Sequence, residues 1–240
     1  MNNFKKIFIN DLQRFFEYRL FHVFITIVFI FTFAMALFPT FNPSNFIYVS
    51  VFVLPVILFS ISMYIEKEEG TILPTLSTCC KSHVVLLAKL FAALVIQLIP
   101  VILYTLVFLF IQKLDISYIA FIGAYLLGTF LHIIIGLTLS IISKSNNILS
   151  VSYIAYIVIF SITPIFYENG LIPISFQYVM IISPAYLSGV LLGNVMAGVM
   201  YSGLTLILLS VFLQVIYIGV LIIWAILPFF KSYLVTSKNK

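Results

Sequence analysis

Residues 118–142, YIAFIGAYLLGTFLHIIIGLTLSII, are mostly apolar and include no Asp, Glu, Lys or Arg. A helix needs about 20 mostly apolar residues to cross the hydrocarbon core of a bilayer, so this run is long enough to span a membrane. The rest of the chain has the same character, because 63% of all residues are hydrophobic and 8% are charged, against roughly 25% charged in soluble domains. We therefore predict an all-α integral membrane protein.

Five further apolar runs meet the same length criterion, so we predict six transmembrane helices within residues 20–230. The runs are Leu20 to Phe38, Phe46 to Ile65, Val84 to Ile111, Tyr118 to Ile142, Ile148 to Phe166, and one ending near Phe230. Residues 165–189 are interrupted by Pro and Gly and are predicted to form an extracellular or re-entrant hairpin before the last helix. A seventh crossing would place the Lys-rich C-terminus outside the cell.

The Lys and Arg residues predict the orientation of the chain. Cytoplasmic flanks of membrane helices carry an excess of these residues. Here they cluster before the first run, between the second and third runs, and in the tail 231–240, whereas Lys113 falls on the opposite side. Both termini are therefore predicted to be cytoplasmic, in the cell (plasma) membrane. Anionic membrane lipid accounts for the basic flanks without a nucleic-acid partner.

Residues 1–19 are predicted to form an amphipathic helix. Its apolar side chains recur at helical spacing, and Lys, Arg and other polar residues take the other face. Such a helix lies in the plane of the membrane interface. The alternative is an ordinary cytoplasmic extension of the first span.

The stretch YIEKEEGTILPTLSTCCKSH, residues 64–83, concentrates charge between the second and third runs. Gly70 allows the chain to bend where it leaves the second span, and Thr71 is suited to cap a short helix at about 70–80. Glu66, Glu68 and Glu69 come at or before the start of that helix. A simple link needs only a few polar residues, so we interpret this longer connection as a docking element.

The sequence contains no cluster of residues suited to catalysis or to metal binding, and no P-loop. His132 is predicted to be a neutral imidazole bonded to a neighbouring helix. Weakly polar residues recur in two spans and suit either helix packing or the wall of a pathway for an amphiphilic substrate. These are His22, Thr26, Ser150, Tyr153 and Ser161.

Three segments of the sequence resemble ABC-2-type permeases, the membrane subunits of a class of ATP-driven exporters. They are EKEEGT (66–71) with Lys89 eighteen residues after Thr71, NDLQRFFEYRLF (10–21), and FYENGLIPISFQYVMIISPAYLSGVLLG (166–193). Among subgroups, the chain is most similar to small permeases that export fluoroquinolones or other drugs. Cys79 departs from the family pattern, in which Pro often follows the Ser or Thr of the short helix.

The resemblance implies that the helix at about 70–80 is a coupling helix that docks in a groove of a separate ATPase. The coupling residues would be Glu66, Glu68, Glu69, Gly70, Thr71, Ile72, Leu73, Leu76, Thr78 and Lys89. ATP and Mg would bind to the ATPase and not to this chain.

The function implied by the resemblance is export of a hydrophobic or amphiphilic drug, lipid or antimicrobial peptide. A second copy of the permease, or a related permease, would complete the pore. The rival is a stand-alone membrane channel, or an immunity or scaffold protein that binds a peptide without ATP-driven transport.

Overall fold

The computed structural model describes residues 2–38, 43–72, 82–196 and 203–231. Within these ranges the chain is helical and has no β-strand. Six helices are long and apolar enough to cross a membrane, which confirms the predicted number and is the architecture of a multi-pass membrane protein. We call them spans 1 to 6: Leu20–Leu37, Ser44–Glu68, Ser82–Gln112, Tyr118–Ile142, Asn146–Tyr167 and Leu204–Lys231.

The N-terminal helix, Asn2–Glu17, is separate from span 1. The backbone of Arg19 is left-handed, with φ of 57°, and marks the turn between the two helices. Phe15 is buried on the inner face of the N-terminal helix, and the ring of Phe8 lies 5.7 Å from that of Phe91 in span 3. The apolar face of this helix therefore packs partly against the protein itself.

Spans 2 and 4 form the centre of the molecule. In their most apolar stretches, 72% of the residues in span 2 and 67% of those in span 4 are buried, against 22%, 18% and 11% in spans 1, 5 and 6. The two central helices approach closely at Gly136, where an added Cβ would lie 2.8 Å from the carbonyl oxygen of Val56. Glycine is required there because the backbone of span 2 occupies the place of a side chain.

The chain between spans 5 and 6 folds back against span 5. After a turn at Gly170, whose φ is 73°, the hydroxyl of Ser183 donates a hydrogen bond of 2.8 Å to the carbonyl of Phe160. Phe160 lies inside span 5, so the chain has returned past the end of that helix. The helix Pro184–Met196 follows and packs against spans 4 and 6.

We call Pro184–Met196 the buried helix, because its residues from Pro184 to Leu192 are all buried. Its 13 residues extend about 20 Å, which is shorter than a membrane crossing. Gly189, the predicted end of the hairpin, lies inside this helix, and span 6 begins at Leu204. The segment before the last span is therefore longer than the sequence predicted, because hydropathy does not mark a helix end within a uniformly apolar run.

Candidate functional site

Span 2 ends in a glycine-capped turn at the start of the 69–81 connection. Gly70 has φ of 67°, a left-handed conformation that costs glycine little. The amide of Gly70 donates to the carbonyl of Lys67 at 3.3 Å, and the amide of Thr71 donates to the carbonyl of Glu66 at 3.1 Å. These are the two hydrogen bonds of a Schellman motif, which satisfies the last carbonyls of a helix. Gly70 therefore turns the chain out of span 2.

Part of the predicted coupling segment lies outside the described residues. These are Leu73, Leu76 and Thr78, whose role in coupling stays a prediction. The hydroxyl of Thr71 donates to the carbonyl of Glu66 at 3.3 Å, and Ile72 is buried. Glu68 is exposed, so its carboxylate is accessible for contact with another chain.

Lys89 joins three segments of the protein at the base of this connection. Its ammonium donates to both carboxylate oxygens of Glu66, at 2.7 and 2.8 Å, and to Oδ1 of Asp11 at 3.1 Å. Glu66 belongs to the last turn of span 2, Asp11 to the N-terminal helix, and Lys89 to span 3. One side chain therefore holds all three helices together.

Arg14 adds a second cation. Its Nη1 atom lies 3.2 Å from Oε2 of Glu66 and 4.0 Å from Oδ1 of Asp11. The exposed fractions of the side chains are 4% for Glu66, 6% for Asp11, 10% for Lys89 and 21% for Arg14. We call these four residues the charge cluster. Its two positive and two negative charges balance, as buried charges must to avoid a large desolvation cost.

The cations of the charge cluster also oppose two unfavourable effects on the acids. Glu66 lies near the C-terminus of span 2, where the partial negative charge of the helix end disfavours a carboxylate. Burial raises the pKa of Asp11 above its ordinary 3.8, and nearby Glu66 raises it further, while Lys89 and Arg14 act in the opposite direction. The geometry of the cluster depends on both cations being in place.

Two further side chains attach this region to its surroundings. The hydroxyl of Tyr18, just after the N-terminal helix, donates to Oε2 of Glu69 at 2.5 Å. Burial and the bond to Glu69 raise the pKa of Tyr18 above its ordinary 10.0, so the hydroxyl stays a donor at neutral pH. Lys67 donates at 2.6 to 3.4 Å to carbonyls at the end of span 4 that lack partners within the helix. They belong to Ser140, Ile141 and Ser143.

Asp11 was not predicted to be a site residue from the sequence, and Arg14 was predicted to lie on the polar face of the N-terminal helix. A signal for the inward direction of both residues was present. Ile7 and Phe15 are buried, and side chains three or four residues apart lie on the same face of a helix. Asp11 and Arg14 fall on the face defined by Ile7 and Phe15.

The structure does not join the residues of the predicted substrate pathway. His22 and Thr26 are exposed on span 1, and the Thr26 hydroxyl donates to the carbonyl of His22 at 2.7 Å. On span 5 the hydroxyls of Ser150 and Tyr153 are 3.5 Å apart, and Ser161 is buried. Among the described residues no hydrogen bond connects the span 1 pair to the span 5 group, and their role in transport stays a prediction.

His132 is buried in span 4, but its partner differs from the predicted one. Its Nδ1 atom lies 2.7 Å from the carbonyl oxygen of Gly128 in the same helix, not in a neighbouring helix. Its ring stacks on that of Phe52 in span 2, at 5.2 Å between centroids. His132 therefore packs the two central helices together.

In the part of the chain that the structure describes, no group of three or more His, Cys, Asp or Glu residues is placed to hold a metal ion. Comparisons of this chain with protein-family models, curated proteins and solved structures find no match.

Proposed function

We propose that this chain is the permease subunit of an ATP-driven ABC exporter in the plasma membrane. Its termini and the 69–81 connection face the cytoplasm, and it moves a hydrophobic or amphiphilic substrate outward. A separate ATPase subunit binds ATP and Mg and docks on the connection. The observation that carries this proposal is the charge cluster, which ties the base of the connection to two spans and to the N-terminal helix.

The charge cluster supports the proposal because a coupling element must move the helices around it. If the ATPase displaces the connection, Glu66 moves with the end of span 2. Lys89 then draws span 3 along, since separating its ammonium from the Glu66 carboxylate would break the closest ion pair of a buried cluster. Asp11 and Tyr18 extend the same displacement to the N-terminal helix. ATP shifts the permease between inward and outward access only if the ATPase binds one of these states better than the other.

The N-terminal helix supports the predicted interfacial position. Its inner face packs on span 3, yet Ile9 and Phe16 remain exposed at 39% and 46%. Lys5 and Lys6 are exposed as well. A helix with apolar and basic side chains both uncovered is suited to the boundary between lipid headgroups and acyl chains.

The low burial of spans 1 and 5 supports assembly of a pore from two permease chains. Both spans expose aliphatic and aromatic side chains, including Phe29 and Phe33 on span 1 and Val158 on span 5. A second permease copy or a related permease would cover these faces, and membrane lipid would cover the remainder.

The test is whether a candidate ABC ATPase, co-expressed with the tagged permease, is retained when the permease is purified in mild detergent. We expect wild type to retain it, and Glu68→Ala and Gly70→Pro to lose it. Glu68 is exposed, so its removal leaves the fold intact, whereas proline cannot adopt the positive φ of Gly70. Asp115→Asn is the matched control, because it removes an exposed acid from a different connection and should retain the ATPase.

Size-exclusion chromatography of each variant shows whether it remains folded. If wild type retains no ATPase under conditions that preserve a permease dimer, the exporter proposal fails. The alternative function, a stand-alone channel or a peptide-binding immunity or scaffold protein, then replaces it. If Glu68→Ala retains the ATPase as well as wild type does, that residue is not part of the contact.

A further inference from the structure

A groove lies on the opposite side of the molecule from the charge cluster. Four segments line it: the loop before span 4, the start of span 4, the end of the buried helix, and the first turns of span 6. Its volume is about 520 Å³, within the range of roughly 300–1,000 Å³ that small-molecule pockets have.

Small residues on span 4 create this space. Ala120, Gly123 and Ala124 lie along one side of the helix and line the groove together with Leu127. A Cβ added at Gly123 would meet no atom within 4 Å, so the place beside it is open. From Ala120 to Leu127 the span rises about 10 Å, and the lining continues beyond Ala120 to Asp115. The groove is therefore elongated along the helix and fits a flexible chain.

The polar end of the groove carries a negative charge. Asp115 lines it and is exposed, and its carboxylate makes no ion pair with the residues that the structure describes. Lys113 is the nearest cation in sequence and does not line the groove. Most of the remaining lining is apolar, from Leu191 in the buried helix and Val211 in span 6 among others.

The loop that carries Asp115 is fixed at both ends. The amide of Leu114 donates to the carbonyl of Phe108 at 3.1 Å, and the hydroxyl of Tyr118 donates to the carbonyl of Leu114 at 2.8 Å. Ser117 caps span 4 through the amide of Ala120. These bonds hold the carboxylate of Asp115 at the groove end instead of leaving it on a long free loop.

We propose that this groove binds a single-chain amphiphile with a cationic head group. The head group pairs with Asp115 and the chain lies along Gly123 toward Leu127. This deepens the proposed export function, on which its role in transport rests, by naming the substrate class. Binding itself requires no ATPase, so it is testable on the permease alone.

The test uses the full chain in nanodiscs of zwitterionic lipid. The probe is an alkyl trimethylammonium with a photoreactive diazirine in its chain, and the comparison probe is the uncharged alcohol of the same chain length. After illumination, labelled peptides are mapped by mass spectrometry over a range of probe concentrations. We expect saturable labelling of residues 115–127 and of the facing part of span 6.

Two variants and a matched control locate the binding site. Gly123→Leu fills the groove, and we expect it to reduce labelling at least about tenfold for both probes, as loss of a well-fitting apolar site does. Gly219→Leu is the control, because Gly219 in span 6 also has open space around it and does not line the groove. It should label as wild type does.

Asp115→Asn tests the charge. We expect about three- to fivefold weaker labelling by the cation, the size of a partly solvated ion pair, and no change for the alcohol. Labelling spread evenly over lipid-facing residues, or equal loss of both probes in Asp115→Asn, would overturn the proposal. Cation binding without ATPase retention would instead contradict the export function and leave the binding site in place.

Discussion

Replacing Lys89 by Met should destabilise the protein by about 3 kcal/mol, the low end of the 3–5 kcal/mol for breaking a buried ion pair. Lys89 contacts both oxygens of Glu66 and one oxygen of Asp11. After its removal, Oε2 of Glu66 still lies 3.2 Å from Nη1 of Arg14. Among the described residues, the only cation left near Asp11 is the same Arg14 nitrogen, 4.0 Å from Oδ1. Asp11 can also take up a proton, because burial already raises its pKa. The remaining contact with Arg14 and the protonation of Asp11 both limit the loss of stability.

The free energy of unfolding is measured in mixed micelles by SDS titration, with far-UV circular dichroism as the signal. The double variant Glu66→Gln with Lys89→Met removes both partners of the closest pair. It should be more stable than the sum of the single changes predicts by about 1–2 kcal/mol, since contacting residues couple within the range 0.5–3 kcal/mol. Lys144→Met, a change at an exposed lysine, should stay within about 0.5 kcal/mol of wild type.

Hydrogen exchange of residues 2–17 gives the second measurement. Loss of Lys89 releases Asp11, so amides of the N-terminal helix should exchange faster in Lys89→Met than in Lys144→Met. The charge cluster does not hold these helices together if two results are found. The free energy of unfolding of Lys89→Met would lie within about 0.5 kcal/mol of wild type, and the coupling free energy between Lys89 and Glu66 would be near zero.

Three further predictions follow from packing and hydrogen bonding. Gly136→Ala should cost about 1–3 kcal/mol because its methyl would meet the Val56 carbonyl, while Gly219→Ala has open space and should not destabilise the protein; SDS titration of both measures the difference. Lys67→Met should speed hydrogen exchange at the C-terminal end of span 4 and cost about 1–2 kcal/mol, because three carbonyls lose a cation; unchanged exchange there would contradict the capping role. Tyr18→Phe should cost about 0.5–1.5 kcal/mol. A raised tyrosine pKa means that this contribution is fully present below the unfolded pKa near 10.0 and declines only above it, so a loss between pH 7 and 9 in the titration would refute the bond to Glu69.

The number and approximate limits of the spans were predictable from the sequence because each span is a long run without a central charge. Gly70 was also predictable as a bend, since a glycine between an acidic turn and a Thr is a common helix end. The charge cluster was not predictable. The contacts of Lys89 join it to residues 23 and 78 positions away, and a single sequence carries no signal for such pairings.

The path of the chain after span 5 was predictable only in part. Pro173, Pro184 and Gly170 marked an irregular segment, but they did not show that a helix would continue through Gly189 to Met196. Spans 4 and 6 cover that helix, so mostly apolar residues occupy all of its faces. Its sequence therefore lacks the amphipathic pattern that would indicate where the helix begins and ends. Tertiary packing, not local sequence, determines where it ends.

The close pairing of spans 2 and 4 has a consequence for how the protein is made. Span 2 leaves the ribosome two crossings before the helix that covers it, and the backbone contact at Gly136 cannot form until span 4 has been translated. During that interval Glu66 has no covering helix except the N-terminal one and, later, span 3. The N-terminal helix is synthesised first and carries both Asp11 and Arg14, so a positive partner for Glu66 already exists when span 2 emerges. Assembly of the charge cluster can thus precede assembly of the core.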